Sequence, residues 1–325
     1  MLKARIAGVG LGLPSKVLTN DDLSKFVDTS DEWIQTRTGI KERRVVNREA
    51  GEDHLAIALA ACQEALQKAN CKPEEIDLII CATMSPDTWM PNASARLSGA
   101  LNAPQSATYD LNSACTGFLA ALSTADCFIR SGRMKKVLVV AAEAFSSILD
   151  WNDRKTCVLF GDGAGAALLE AVPGDDPLSS GIIDFKLGTI CDSAESLTVP
   201  GGATRFPEKR MHILMQGQEV FKTGSRAMAE VAHEVLVKTN TQPESIDWFV
   251  PHQANLRIIE MVAKIAEIPK EKIYVNVDRW GNTSAATIAI CLAEMDRQGL
   301  LKRGQLILLD AFGGGFTYGA MLLRW

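Results

Sequence analysis

Two stretches of this chain, 170 residues apart, spell out the same local plan: KANCKPEEIDLII begins at Lys68 and KTNTQPESIDWFV at Lys238. Each reads as the end of a helix, a proline turn and a buried strand. A second pair, SGRMKKVLVV from Ser131 and QGLLKRGQLIL from Gln298, repeats at an offset near 167. Each member follows a small-residue helix and leads into a strand. Two offsets of similar size predict a duplicated α/β unit. Chance similarity between common helix–turn–strand patterns is the competing account. The expected halves are 1–172 and 173–325, packed as one body, because no Gly/Ser/Pro linker separates them. The most loop-like stretch is Ser193–Met211.

Helical periodicity runs from His54 to Asn70, strand-like runs cover Ile76–Ala82 and Val137–Ala142, and the small residues of Ser113–Ala125 read as a buried helix. Strands this apolar belong to sheets covered on both faces. With 325 residues, 47% of them hydrophobic, the chain can fill two fused cores. Its longest apolar runs are strand-sized, so no membrane span is expected. The opening MLKARIAGVGLGLP reads as a first strand and turn without a targeting signal, which points to the cytoplasm. A net charge of −5 gives no support to bulk nucleic-acid binding. Eight cysteines without a CxxC pair, and four histidines, argue against structural zinc. GVGLGLP lacks the GxGxxG spacing, GDGAG at Gly161 completes no phosphate motif, and no GK[ST] follows Gly313, Gly314 and Gly315. These negatives weigh against NAD, FAD and ATP.

Three segments carry candidate chemistry. Cys115, in DLNSACTGFLAAL, falls at a strand-to-helix turn. Free N–H groups at a helix start favour a thiolate and can hold a developing oxyanion. A buried structural cysteine is the plainer account of it. His252, in WFVPHQANLRII, follows the strand Trp248–Val250, where ligands of α/β folds commonly bind. It could equally serve only its neighbours. Asn282, in DRWGNTSAATIAI, follows a strand-like VNV at Val275 and a glycine turn, where an N-cap is the ordinary role.

Taken together, these segments resemble the β-ketoacyl-acyl-carrier-protein synthase III family, condensing enzymes with a thiolase-like fold. The resemblance runs almost end to end. It includes VDTSDEWIQTRTGIKERR from Val27, DLNSACTGF from Asp110, VLFGDGAGAA from Val158, VPHQANLRII from Val250, GNTSAA from Gly281 and AFGGGFTYGAML from Ala311. It implies a layered α-β-α-β-α structure of two duplicated halves and a Cys115–His252–Asn282 catalytic group. Cys115 would be acylated by an acyl-CoA, its oxyanion held by the N–H groups of Cys115 and Gly314. His252 and Asn282 would then assist decarboxylation of malonyl-acyl-carrier-protein beside an apolar wall at Phe312. No metal or redox cofactor is required by such a reaction.

The resemblance further implies CoA contacts at Trp33, Arg37 and Arg154, with Thr29 a lesser candidate, and a pantetheine contact at Asn255. It implies a carrier-protein patch at Lys222, Arg257 and Lys264, and a homodimer. Taken alone, Trp33 reads as a core aromatic, Arg37 as a surface ion-pair partner, and Lys222, Arg257 and Lys264 as solvated helix charges. One departure concerns SPDTWMPNA from Ser85, where Met90, preceded by Trp89, stands at a position often held by a bulky aromatic in the acyl pocket. Methionine is adaptable, so primers longer than acetyl are expected. Two other functions fit less well: a secondary-metabolism ketosynthase with a longer primer or another acceptor, and an inactive CoA-binding protein. Retention of all three chemical residues counts against the second.

Overall fold

A computed structural model describes residues 2–174, 180–191, 195–201, 208 and 211–325. Among the described residues nine strands build the two main sheets. The first contains β1 (Leu2–Gly12), β2 (Leu78–Ala82), β3 (Ala107–Leu111), β4 (Lys136–Ala144) and β5 (Asp162–Pro173). Their order is β1-β5-β4-β2-β3, with β1/β5 and β5/β4 antiparallel and β4/β2 and β2/β3 parallel. The second contains β6 (Gly181–Thr189), β7 (Trp248–Pro251), β8 (Leu306–Gly313) and β9 (Thr317–Arg324), ordered β6-β9-β8-β7. Its pairings repeat the pattern: two antiparallel, then one parallel. Where the first sheet adds β3, the second has only a parallel bridge from Phe249 to Ile273.

The main helices are α1 (His54–Lys68), α2 (Gly117–Arg130), α3 (Gly217–Lys238), α4 (Leu256–Ile265) and α5 (Ala286–Arg297). Every residue of α5 from Ala286 to Met295 is buried. A helix that is buried on all faces must lie between layers. It shares that layer with α2, in a core that joins Val139 and Leu169 of the first sheet to Leu309 and Met321 of the second. The helices α1 and Ala93–Leu101 cover the outer face of the first sheet, and α3 and α4 that of the second. The result is the α-β-α-β-α sandwich of a thiolase-like fold. Leu292, fully buried in the central layer, illustrates the energetics: truncation to alanine there costs about 2–5 kcal/mol.

The glycines of β1 have a packing role. A Cβ on Gly10 would lie 2.0 Å from the Ala61 carbonyl oxygen of α1, and one on Gly12 would lie 1.9 Å from that of Ile57. Alternate glycines therefore let α1 lie flat against the strand. GVGLGL is a helix-docking surface.

Several expected elements shift. The run from Ile76 starts as a strand only at Leu78, after the 3-10 turn Pro73–Glu75. The helix expected over Ser113–Ala125 is a 3-10 turn, Ala114–Thr116, followed by α2. The strand-like VNV at Val275 is no strand: Val277 opens the short helix Val277–Trp280. Val277 is buried by its neighbours rather than by sheet pairing, and Val275 only in part. Much of the expected loop at 193–211 lies outside the described residues.

Candidate active site

Strand β3 delivers the chain to the turn that carries Cys115. Ala114 adopts φ 45°, a left-handed conformation costly for a residue with a Cβ. The turn is held from the second half of the chain. The Thr116 hydroxyl donates to that of Thr317 (2.9 Å), which lies 3.2 Å from the Ser113 carbonyl. Gly313 at the end of β8 must be glycine, since a Cβ there would stand 2.6 Å from the Cys115 nitrogen. This close approach brings the N–H of Gly314, together with that of Cys115, onto the cysteine sulfur. The thiol is buried, which raises its pKa to about 11, against the opposing pull of the Ser284 hydroxyl and the two N–H groups. The helix-start effect expected from the sequence is present, but burial outweighs it and the resting sulfur is protonated.

His252 stands just past β7, its N–H donating to the Asp310 carbonyl (2.7 Å) beside it on β8. Its Nδ1 lies 2.7 Å from the Thr287 hydroxyl, which turns the Nε2 edge toward the cavity. Burial lowers its pKa to about 3, so the ring is neutral. Asn282 follows Gly281, whose φ of 64° turns the chain toward α5. Its N–H donates to the Leu159 carbonyl, and its Oδ1 accepts from Ser284 N–H (2.8 Å). With Oδ1 engaged, the side that remains for a substrate is the Nδ2 donor.

Cys115, His252 and Asn282 line one cavity of about 1110 Å³, with Phe312 and Gly314. Phe312 stacks at a tilt on Phe316, centroids 4.8 Å apart. Toward the outside the same cavity meets Trp33, Arg37, Arg154, Asn255, Arg257 and Trp89. The Arg37 and Arg154 guanidiniums lie 4.4 Å and 5.2 Å from the Trp33 ring centroid. Arg154 is tied down by the Asp28 carbonyl (2.8 Å) and carboxylate (3.0 Å). Asn255 caps α4, accepting from Ile258 N–H. Thr29, Lys222, Lys264 and Met90 are not on the cavity wall. The Thr29 hydroxyl is buried and, among the described residues, has no hydrogen-bond partner. Lys222, on α3, is exposed, as are Arg257 and Lys264 on α4. Met90 and Trp89 are 89% and 74% exposed on one loop.

Sequence reasoning missed three residues. Thr287 orients His252, Ser284 donates to the Cys115 sulfur at 3.5 Å, and Glu143 is a fully buried carboxyl near them. The signal for Ser284 was its place in GNTSAA. For Glu143 it was a lone charge at the end of the apolar strand VLVVAAEA.

Two family profiles match the chain. The 3-oxoacyl-[acyl-carrier-protein] synthase III profile covers residues 109–190, and the C-terminal profile of the same family covers residues 236–325. The β-ketoacyl-[acyl-carrier-protein] synthase III of Allorhizobium ampelinum is 44% identical over 326 residues, covering 100% of both chains. The crystal structure of 3-oxoacyl-[acyl-carrier-protein] synthase III from Aquifex aeolicus superposes with a TM-score of 0.92 at 46% identity, over 99% of this chain and 100% of that one. The priming β-ketosynthase of the R1128 polyketide pathway gives a TM-score of 0.93 at 33% identity, over 99% of this chain and 96% of that one. Fold and site thus define a condensing enzyme of the thiolase superfamily, acting on thioesters by Claisen-type chemistry. Within that class, the chain belongs to the β-ketoacyl-[acyl-carrier-protein] synthase III family.

Proposed function

We propose that the chain condenses an acyl-CoA primer with malonyl-acyl-carrier-protein, releasing CoA and carbon dioxide and giving a 3-ketoacyl-acyl-carrier-protein. The observation that carries this reading is the convergence of Cys115, His252 and Asn282 on one cavity, with Gly314 on the same wall. Cys115 attacks the primer thioester, and the N–H groups of Cys115 and Gly314 stabilise the tetrahedral oxyanion. After CoA leaves, the malonyl thioester carbonyl accepts from Asn282 Nδ2 and His252 Nε2. The Thr287 hydroxyl supports that second donor by giving its proton to Nδ1. Both donors strengthen as the enolate forms. Phe312 supplies an apolar wall that disfavours the malonyl carboxylate and favours its loss.

The adenine of CoA stacks at Trp33 between the two guanidiniums, with Thr29 offering its vacant hydroxyl and Asn255 meeting the pantetheine. Lys222, Arg257 and Lys264, adjacent on the packed helices α3 and α4, form the docking patch for an acidic carrier protein. The halves 1–172 and 173–325 divide the work: the first brings the nucleophile, the second the His and Asn. A homodimer is supported by β3, which ends the first sheet with one edge unpaired, and by the exposed Trp89–Met90 loop. Among the described residues no helix is long and apolar enough to cross a membrane. Eight free cysteines suit a reducing cytoplasm. The likeness to a priming ketosynthase of a polyketide pathway supports a second reading, a secondary-metabolism ketosynthase that takes a longer acyl-CoA or a different acceptor. Intact-mass measurement after incubation with an acyl-CoA panel, then with malonyl-acyl-carrier-protein, tests both. No acyl adduct with any primer would sink the first reading, and exclusive loading of acetyl with turnover by malonyl-acyl-carrier-protein the second.

A further inference from the structure

Cys115 must lose a proton before it attacks, yet the mechanism above provides no acceptor. His252 cannot serve, because its Nε2 carries hydrogen as a donor to malonate and its Nδ1 faces Thr287. Ser284 is hydrogen-bonded to the thiol, its Oγ 3.5 Å from the Cys115 sulfur. Ser284 has φ 51°, a left-handed conformation for a residue with a Cβ, and its N–H is held by Asn282 Oδ1. Strain of this kind persists where the surroundings enforce it. The Ser284 hydroxyl also draws down the pKa of the Glu143 carboxyl, but at rest it makes no hydrogen bond to it, so a turn about the Ser284 Cα–Cβ bond closes the gap to Oε1.

Glu143 is 0% exposed, at the end of β4. Its Oε2 accepts from the Ser85 hydroxyl (2.5 Å), Met84 N–H (3.2 Å) and the Thr83 hydroxyl (3.3 Å). Among the described residues its Oε1 has no hydrogen-bond partner. A buried carboxyl with one satisfied and one vacant oxygen is costly. Oε2 is fixed by three donors, so Oε1 is the oxygen free to take a proton.

We infer that Glu143 accepts the Cys115 thiol proton through the Ser284 hydroxyl. The thiol proton passes to Ser284 Oγ as the Ser284 proton passes to Glu143 Oε1. The thiolate bonds to the thioester carbonyl carbon. The carbon–sulfur bond to CoA then breaks, and CoA leaves as a thiolate that takes a proton from water. In the second half-reaction the enolate attacks the acyl-enzyme and expels Cys115 as a thiolate. Glu143 returns its proton through Ser284, and the cycle closes with one solvent proton consumed.

The Glu143 pKa is raised to about 7 by burial, against the pull of its hydroxyl and N–H partners, which suits a base at neutral pH. The other ionisable groups around it do not compete. Cys81 is pushed well above its ordinary value by burial, and His54, reached through Thr83 (3.0 Å), is held neutral by burial. Glu143 touches no substrate in this scheme and acts through Ser284.

The inference rests on Cys115 being the nucleophile, and substrate-free alkylation by iodoacetamide separates the two claims. In the unaltered enzyme, the alkylation rate of Cys115 should show an inflection near neutral pH. Glu143→Gln and Ser284→Ala should both lose it and react about tenfold or more slowly at pH 7, while Glu143→Asp regains part of the rate. Circular dichroism identifies any variant that fails to fold, and Ser284→Ala reads the relay without touching the carboxyl. A purely electrostatic Glu143 predicts the opposite sign, because its charge opposes the thiolate. Faster alkylation in Glu143→Gln, or an unchanged profile in Ser284→Ala, overturns the relay. Failure to find acyl groups on Cys115 would instead sink the proposed function.

Discussion

The Thr287 hydroxyl sits 2.7 Å from His252 Nδ1 and 3.1 Å from the Ser284 carbonyl, and it has one proton for two acceptors. The shorter contact is the one that matters for catalysis: a proton given to Nδ1 leaves hydrogen on Nε2, where a donor is needed. Thr287→Val keeps the shape and removes the hydroxyl. It should leave acylation of Cys115 intact and slow malonyl decarboxylation about tenfold, a fraction of the 10²–10³ lost with a whole oxyanion donor. Carbon dioxide release at saturating malonyl substrate is the measurement. An unchanged rate would mean that Thr287 does not set the tautomer.

Cys115→Ala should abolish acyl-enzyme formation. Cys115 is the cysteine on the cavity wall, with two N–H groups on its sulfur. Peptide mapping of the trapped adduct should place the added mass there. Mass on Cys157 or Cys191 would contradict the assignment. His252→Ala and Asn282→Ala should still load primer, and each should lose decarboxylation by about 10² or more. Undiminished release in both would exclude the donor roles.

How much of this was legible in the sequence can be judged from particular residues. The echo from Lys68 to Lys238 marked equivalent helix–turn–strand units, and the two sheets repeat one pairing pattern around them. The positions of Cys115, His252 and Asn282 were legible because each sits in a motif at a strand or turn end. Their supporting partners were not. Ser284 reaches Cys115 across 169 positions, and Glu143 shares no local pattern with either. Such contacts arise only when the two halves close on each other, so no local periodicity records them. The resting state of Cys115 was also hidden, since burial, absent from the sequence, outweighs the helix start.

His252 also predicts a pH dependence of stability. Its pKa falls from an ordinary 6.5 to about 3 on burial. Between those values the unfolded chain binds a proton that the folded site refuses. Stability from this group is therefore complete above pH 6.5 and declines as pH falls, by about 1.4 kcal/mol per unit. Glu143, raised from 4.5 to about 7, works in the opposite sense, since the folded state takes its proton first. Comparing urea unfolding of the unaltered protein with His252→Gln at one concentration isolates the histidine. The gap between them should shift against the unaltered protein below pH 6.5. A gap independent of pH would show that His252 is not buried neutral.

Arg257 and Lys264 are exposed on α4, and Arg257 also reaches the cavity mouth, 5.7 Å from the Phe221 ring centroid. Reversing both to glutamate should raise KM for malonyl-acyl-carrier-protein and leave acyl-CoA loading much less changed. The penalty should shrink at high salt, as screening of an exposed patch requires. Equal losses with carrier protein and with a small malonyl thioester would assign the patch another role.

The last prediction concerns primer length. Trp89 lines the cavity, whereas Met90, 89% exposed, is not on its wall. If the exposed loop crosses a dimer interface, Met90 meets the partner's pocket, where a flexible thioether can move aside for added methylenes. Each buried methylene is worth about 0.8 kcal/mol, or roughly fourfold in binding, so two or three offset a modest rearrangement. The enzyme should therefore accept primers longer than acetyl, and Met90→Phe should shift kcat/KM back toward acetyl. Trp89→Ala is the necessary companion, because that indole could fill the same space from within. An even-numbered acyl-CoA series on all three proteins decides the matter. The same strong acetyl preference in the unaltered enzyme and Met90→Phe would show that Met90 does not set the pocket, and a change confined to Trp89→Ala would move that role to the indole.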